Sequence, residues 1–122
     1  MIDGFEQGAY AWATGNELNT AAFTNSCIRT VNYIEVIPGN SYEVNISNKI
    51  GKDLIVWVYE YDEEQAFISV NRDMTSYVPF AFTASSTTKY IKVVFTYLTS
   101  SSGSTSSEYT LNVSDVYSGI LL

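Results

Sequence analysis

Apolar and polar residues alternate with a period of two along much of the chain, the signature of half-buried β-strands. In residues 33–37, Ile34 and Val36 share one face. Pro38, Gly39, Asn40 and Ser41 then form a turn, with Pro presetting φ and Gly supplying a positive one. Residues 41–47 resume the pattern, with Tyr42, Val44 and Ile46 inward and Glu43, Asn45 and Ser47 outward. A charged loop around Gly51 spans residues 48–53. Residues 54–61 are apolar on both faces, so they form either a central strand covered on each side or a strand carrying a functional aromatic row. The acidic run Asp62, Glu63, Glu64, Gln65 reads as a hairpin turn, and residues 66–70 return.

After a polar loop at residues 71–76, residues 77–83 form a short strand that Pro79 places near an edge. A loop at 84–88 precedes the clearest alternation, residues 89–97. There Ile91, Val93, Phe95 and Tyr97 are expected inward, and Tyr90, Lys92, Val94 and Thr96 outward. Residues 99–107 are nine Ser, Thr and Gly residues and read as a hairpin tip. Residues 109–117 read as a last strand with Leu111 and Val113 inward. Upstream, residues 8–12 and 26–30 are strand-like, and residues 13–25 read as one long loop. Eight or nine short strands with frequent turns, and no internal repeat, predict an all-β antiparallel sandwich. The 122 residues suffice for one domain, residues 1–122.

Composition removes whole classes of function. Lys and Arg total 6 against 13 Asp and Glu, a net charge of −7. No nucleic-acid partner is expected, because such a face must be basic. The chain has no His, which removes the usual general base and any His-ligated metal. One Cys, Cys27, allows no internal disulfide, and it reads as a small buried hydrophobe. The first six residues lack the features of a signal peptide. No apolar run approaches the ~20 residues that span a bilayer, so no membrane insertion is expected. Asp62, Glu63 and Glu64 are adjacent on a turn and splay apart, which suits solvation better than a catalytic carboxylate pair. The sequence therefore reads as non-catalytic.

The aromatic residues are in surplus: two Trp, ten Tyr and six Phe. Core packing accounts for Tyr42, Phe80, Phe82, Phe95 and Tyr97. It accounts less readily for Trp12 beside a polar loop, or for Trp57 and Tyr59 on a strand already apolar on its other face. An exposed ring offers a flat platform to the C–H face of a sugar, and nearby Asn, Ser, Thr and Arg supply directional hydrogen bonds. The same indoles also suit core plugs. Arg29, the only Arg in the first 71 residues, either forks onto ligand hydroxyls or pairs with a neighbouring Glu on the sheet.

The order of these features carries a resemblance. It runs from Gly8–Trp12 through Cys27-Ile28-Arg29-Thr30, Tyr33-Ile34-Glu35-Val36-Ile37-Pro38-Gly39 and Val56-Trp57-Val58-Tyr59-Glu60-Tyr61-Asp62 to Thr88-Lys89-Tyr90-Ile91-Lys92. The chain resembles the small jelly-roll modules of tail-fibre, baseplate and minor structural proteins of phages of Gram-positive bacteria, which recur in surface proteins of those bacteria. The resemblance implies a carbohydrate-binding-like domain, excised from a longer tail or surface protein and located on a virion tail or at the cell surface. A glycan of the bacterial surface is the implied ligand, and the parent protein's other domains and homo-oligomeric copies are further partners. Trp12, Arg29 and the Tyr61-Asp62 pair match the pattern. Cys27 and Lys92 depart from it, since such modules carry Arg at both places; where those Arg side chains grip ligand, this chain binds differently or not at all. The resemblance also implies a spacer or oligomerisation unit as the alternative role. No cofactor is expected beyond one candidate structural calcium, for which Asp3, Glu6 and Asp115 from the chain's two ends are the candidate ligands.

Overall fold

The structure, a computed structural model, describes residues 4–71, 76–97 and 111–117. Ten strands run through them: β1 (Phe5–Gln7), β2 (Ala9–Tyr10), β3 (Glu17–Leu18), β4 (Cys27–Thr30), β5 (Ile34–Glu35), β6 (Ser41–Val44), β7 (Ile55–Tyr61), β8 (Phe67–Asn71), β9 (Phe80–Thr83) and β10 (Tyr90–Thr96). A one-turn helix α1 (Ala21–Thr24) and a 3-10 turn at Val113–Asp115 complete the described elements. The main sheet has the order β1-β4-β10-β7-β8, with β5 also on β10, and every pairing is antiparallel. β6 and β9 form a second, two-stranded sheet, and β2 and β3 form a hairpin. The fold is an all-β sandwich, as the alternation predicts.

Between the two sheets lies the larger core. Val56 and Val58 of β7, Ile91, Val93 and Phe95 of β10, and Ile28 of β4 face Val44 of β6 and Phe82 of β9. The opposite face of the main sheet is also covered. Ile55, Trp57, Tyr59 and Tyr61 alternate with the first set along β7 and pack with Cys27, Val94, Ala9 and Tyr10. Strand β7 is therefore the central strand covered on both sides, and it is apolar throughout because each face has a roof.

The N-terminal third makes that second roof. Residues 13–25, expected as one loop, contain β3 and α1. Two-residue strands are too short to show a period. The roof also corrects the faces of β10: Val94 and Thr96, expected outward, are fully buried beneath it. Thr96 is tolerated there because its hydroxyl donates to the Ser26 carbonyl at 2.9 Å.

Residues 111–117 correct another expectation, since they turn through the 3-10 segment and pair only at the Asn48–Val116 bridge. The predicted hairpin tip at 99–107 lies outside the described residues.

Strand β10 changes partner part-way. Val94, Phe95 and Thr96 pair with β4, whereas Tyr90 and Ile91 pair with β5. At the changeover the buried Val93 amide donates to the Thr30 hydroxyl at 3.0 Å instead of to a strand carbonyl. Lys92 sits at this break, and Val31, Asn32 and Tyr33 bridge it from β4 to β5.

Burial on both faces of β10 has a direct consequence. Val94→Asp places an unpaired charge in the core and abolishes folding, read as loss of the cooperative unfolding transition. Ile37→Asp, at a site 60% exposed, shifts stability by no more than about 0.5 kcal/mol.

Candidate functional site

Arg29 organises the side of the sheet on which the hairpin lies. Its side chain is only 3% exposed. Nε donates to Glu6 Oε1 at 2.8 Å and one terminal nitrogen donates to Glu17 Oε2 at 2.7 Å. The other terminal nitrogen donates to the carbonyls of Ala9 at 2.7 Å and Leu18 at 3.4 Å. One guanidinium thus joins β1, β2, β3 and β4. Gly8 makes room for it. A Cβ at position 8 would lie 2.7 Å from the guanidinium, and the Gly8 φ of +131° suits glycine alone. Of the two roles open to Arg29, the pairing with glutamate is the one realised, and the guanidinium is spent on structure.

The predicted ligand aromatics separate into two groups. Trp57, Tyr59 and Tyr61 are buried, which corrects their expected role as sugar platforms: the hairpin roof covers their rings. The Tyr59 hydroxyl donates to the Tyr10 carbonyl, and the Tyr10 hydroxyl donates to the Thr30 carbonyl at 2.7 Å. Trp12 differs. It stands in the β2–β3 turn, 44% exposed, and its ring meets that of Trp57 at 6.2 Å and 89°. Packing against a core indole holds the exposed one in place.

Beside the hairpin lies a hollow of about 460 Å³, lined by Glu6, Tyr10, Asn16, Glu17, Val31 and Lys92, with Gly15 at its wall. The turn geometry sets this wall. The Asn16 carbonyl accepts from the Ala11 amide at 2.7 Å, and the Gly15 amide donates to the Ala11 carbonyl at 2.8 Å. Gly15 has φ +72°, and a Cβ there would press on the Phe67 ring at 3.0 Å and the Tyr61 hydroxyl at 3.1 Å. The hollow's chemistry is mixed. Glu6 and Glu17 each commit one carboxylate oxygen to Arg29 and stay 42% and 57% exposed.

Lys92 reaches in from the break in the sheet. Its ammonium lies over three rings, 4.2 Å from the centroid of Tyr33, 4.7 Å from Tyr10 and 5.8 Å from Tyr61. Burial pushes its pKa down, and the Arg29 charge adds to this, against the pull of Glu17 and Glu6. The sequence places Lys92 outward and marks it as a departure from the resembled modules, and it does not single out Tyr10, Tyr33, Asn16 or Glu17 as site residues. A further signal is a lone Lys within the mostly apolar and aromatic strand β10.

Of the three candidate calcium ligands, Glu6 and Asp115 are among the described residues and lie apart. Asp3 lies outside the described residues. Glu6 is held by Arg29, on the hairpin side of β1. Asp115 closes its own 3-10 turn, accepting from the Asn112 amide at 2.8 Å. That turn is fastened to β1 through Gln7, whose amide oxygen accepts from Val113 N at 2.6 Å. Successive residues of a strand point to opposite faces, so Glu6 and the turn beside Gln7 lie on different sides of the sheet. Among the described residues no group of three acidic or thiol side chains forms a metal-holding cluster.

Two other hollows are less suited to bind. In one, Glu60 is already engaged by the Thr88 hydroxyl at 2.8 Å and the Ser85 amide at 3.1 Å. The other lies along the acidic turn, where Asp62 Oδ1 accepts from the amides of Glu64 and Ala66, both at 2.9 Å. That turn is the predicted hairpin. Compared with family models, curated proteins and solved structures, the chain matches none.

Two outcomes test this construction. Arg29→Met removes the clasp and lowers stability by about 3 kcal/mol in chemical denaturation. That is the low end for a broken buried pair, because Glu6 and Glu17 remain half in water. Arg29→Lys restores less than half, since a single ammonium cannot span both carboxylates and two carbonyls.

Alkali tests the buried phenols. Desolvation raises the pKa of Tyr10 from 10.0 to about 12 and pushes up that of Tyr61 as well. Below pH 10 folded and unfolded chains both keep these protons. Above it the unfolded chain loses them first, so stability falls as pH rises from 10 towards 12. Lys92 runs the other way, since its depressed pKa makes stability rise with pH until its unfolded value of 10.5 is passed. The denaturation midpoint therefore drops above about pH 10.5. Tyr61→Phe flattens that drop and leaves neutral-pH stability equal or higher, because the buried Tyr61 hydroxyl has no hydrogen-bond partner among the described residues.

Proposed function

We propose that the chain is a non-catalytic carbohydrate-binding module of jelly-roll type, recognising a glycan of a bacterial surface as part of a phage tail or related surface protein. One observation carries this reading: an exposed, braced indole, Trp12, stands on the same hairpin turn as the polar wall of a hollow. A flat ring beside groups that both donate and accept hydrogen bonds matches the two surfaces of a sugar, its C–H face and its hydroxyl edge. Trp12 supplies the platform. Asn16, Glu6, Glu17 and Lys92 supply the polar groups. Arg29, which the resemblance implies as a ligand residue, serves by holding Glu6 and Glu17 in position. Per-site affinity of such a small, open site is weak, and repeated copies on an assembly raise it by avidity.

A spacer or oligomerisation role is the second reading. What favours it is that Arg29, Trp57, Tyr59 and Tyr61, four of the five residues expected to bind, are used inside the fold.

Titration calorimetry and a glycan array with bacterial surface polysaccharides separate the two. The binding reading expects a saturable response that Trp12→Ala weakens about tenfold, some 1.4 kcal/mol, with the unfolding transition retained. A flat response across all glycans supports the spacer.

A further inference from the structure

We infer that the hollow between the hairpin and the break in β10 is a subsite for an uncharged sugar unit, with the Lys92 ammonium as its principal donor and the outer carboxylate oxygens of Glu6 and Glu17 as its acceptors. This rests on the glycan-binding reading and narrows it to a ligand class.

Charge balance makes the first argument. Two cations, Arg29 and Lys92, and two carboxylates, Glu6 and Glu17, bear on the hollow. An anionic ligand reaching Lys92 meets two carboxylates that are half in water. A cationic ligand reaching the carboxylates meets the ammonium and the guanidinium. A neutral polyol meets neither penalty, and its hydroxyls donate and accept by turns.

Hydrogen-bond accounting makes the second. Arg29 occupies Glu6 Oε1 and Glu17 Oε2, which leaves Glu6 Oε2 and Glu17 Oε1 outside the clasp. The Lys92 ammonium is packed against the faces of Tyr10 and Tyr33, with Tyr61 further off. Ring faces attract its charge but do not replace the oxygen acceptors lost with water. Among the described residues the ammonium makes these ring contacts and no ion pair. A sugar hydroxyl or acetamido oxygen in the hollow supplies the acceptor. The volume of about 460 Å³ falls within the range of small-ligand sites, roughly 300–1,000 Å³.

The groups that face Lys92 are Glu6 of β1, Tyr10 of β2, Glu17 of β3, Arg29 of β4, Tyr33 of the bridging segment and Tyr61 of β7. Burial depresses Lys92 and raises Tyr10 and Tyr61, so the ammonium loses its proton before those two phenols. Binding through the protonated amine therefore weakens as alkaline pH neutralises it.

The test titrates the whole chain with uncharged oligosaccharides of glucose, galactose, mannose and N-acetylhexosamines, and with uronic-acid and sialylated counterparts. Lys92→Met, which keeps the stem among the rings, is the principal variant, and Trp12→Ala is the control for stacking. The expected result is binding of an uncharged series, at least tenfold weaker in Lys92→Met with an unchanged or higher melting midpoint. The wild type also loses affinity as pH rises through the amine's titration, and Lys92→Met does not. Preference for the anionic series, or full binding by Lys92→Met while Trp12→Ala is impaired, overturns this subsite and leaves the glycan-binding reading standing. No binding to any series overturns both.

Discussion

A single buried guanidinium fastens the N-terminal hairpin to the main sheet. Arg29 leaves water almost completely, and that is tolerable only because two carboxylates and two carbonyls receive its protons. Those partners come from β1, β2 and β3, so satisfying the charge forces the N-terminal segment to fold back over the sheet. Gly8 is where the chain turns, and its missing side chain lets the backbone approach the guanidinium. A planar fork of donors suits this task, since an ammonium cannot reach partners on three strands at once. Once the hairpin lies over the sheet, the second face of β7 and β10 becomes interior.

This third layer explains which parts of the structure were legible in the sequence. The period-two segment around Val44 and the inward row Ile91, Val93 and Phe95 read correctly because each residue's neighbours decide its face. The doubly apolar β7 left two readings open, and the structure realises the one with both faces covered. The N-terminal roof was invisible, because β2 and β3 have two residues each and α1 has one turn. Without the roof, the aromatic residues look too many for a two-sheet interior. With it, Trp57, Tyr59, Tyr61 and Tyr10 have a core of their own. The inference from surplus rings to surface platforms failed for Trp57 and Tyr59 on this ground, and Tyr61, which the resemblance implies as a ligand residue, is buried with them. The same inference held for the exposure of Trp12, which lies in the turn of the roof and not beneath it.

The surroundings of Lys92 are illegible in the sequence for a related reason. On an alternating strand, an outward Lys reads as a solvated charge. Here the outward face is the roofed face, and β10 exchanges β4 for β5 on either side of this residue. The gap lets a long side chain rise between the strands' ends and lie against Tyr33 and Tyr10. No pattern within residues 89–97 encodes that gap. It arises from where β4 leaves the sheet, which depends on the Val31–Tyr33 bend and on Thr30 capping the Val93 amide.

Under the proposed glycan-binding role, recognition and folding share the same carboxylates. Glu6 and Glu17 each give one oxygen to Arg29 and also line the hollow, so the bond that closes the roof also fixes two of the hollow's walls. A ligand that accepts from Lys92 and donates to these carboxylates strengthens the contact between hairpin and sheet. Such a ligand stabilises the folded chain by mass action, to an extent set by its concentration relative to its Kd. Conversely, loosening the clasp lets both carboxylates swing away, and the hollow loses its acceptors before the main sheet loses its strands. In the proposed site Arg29 thus acts on the ligand at a distance of one side chain, through the geometry of the two glutamates that it holds.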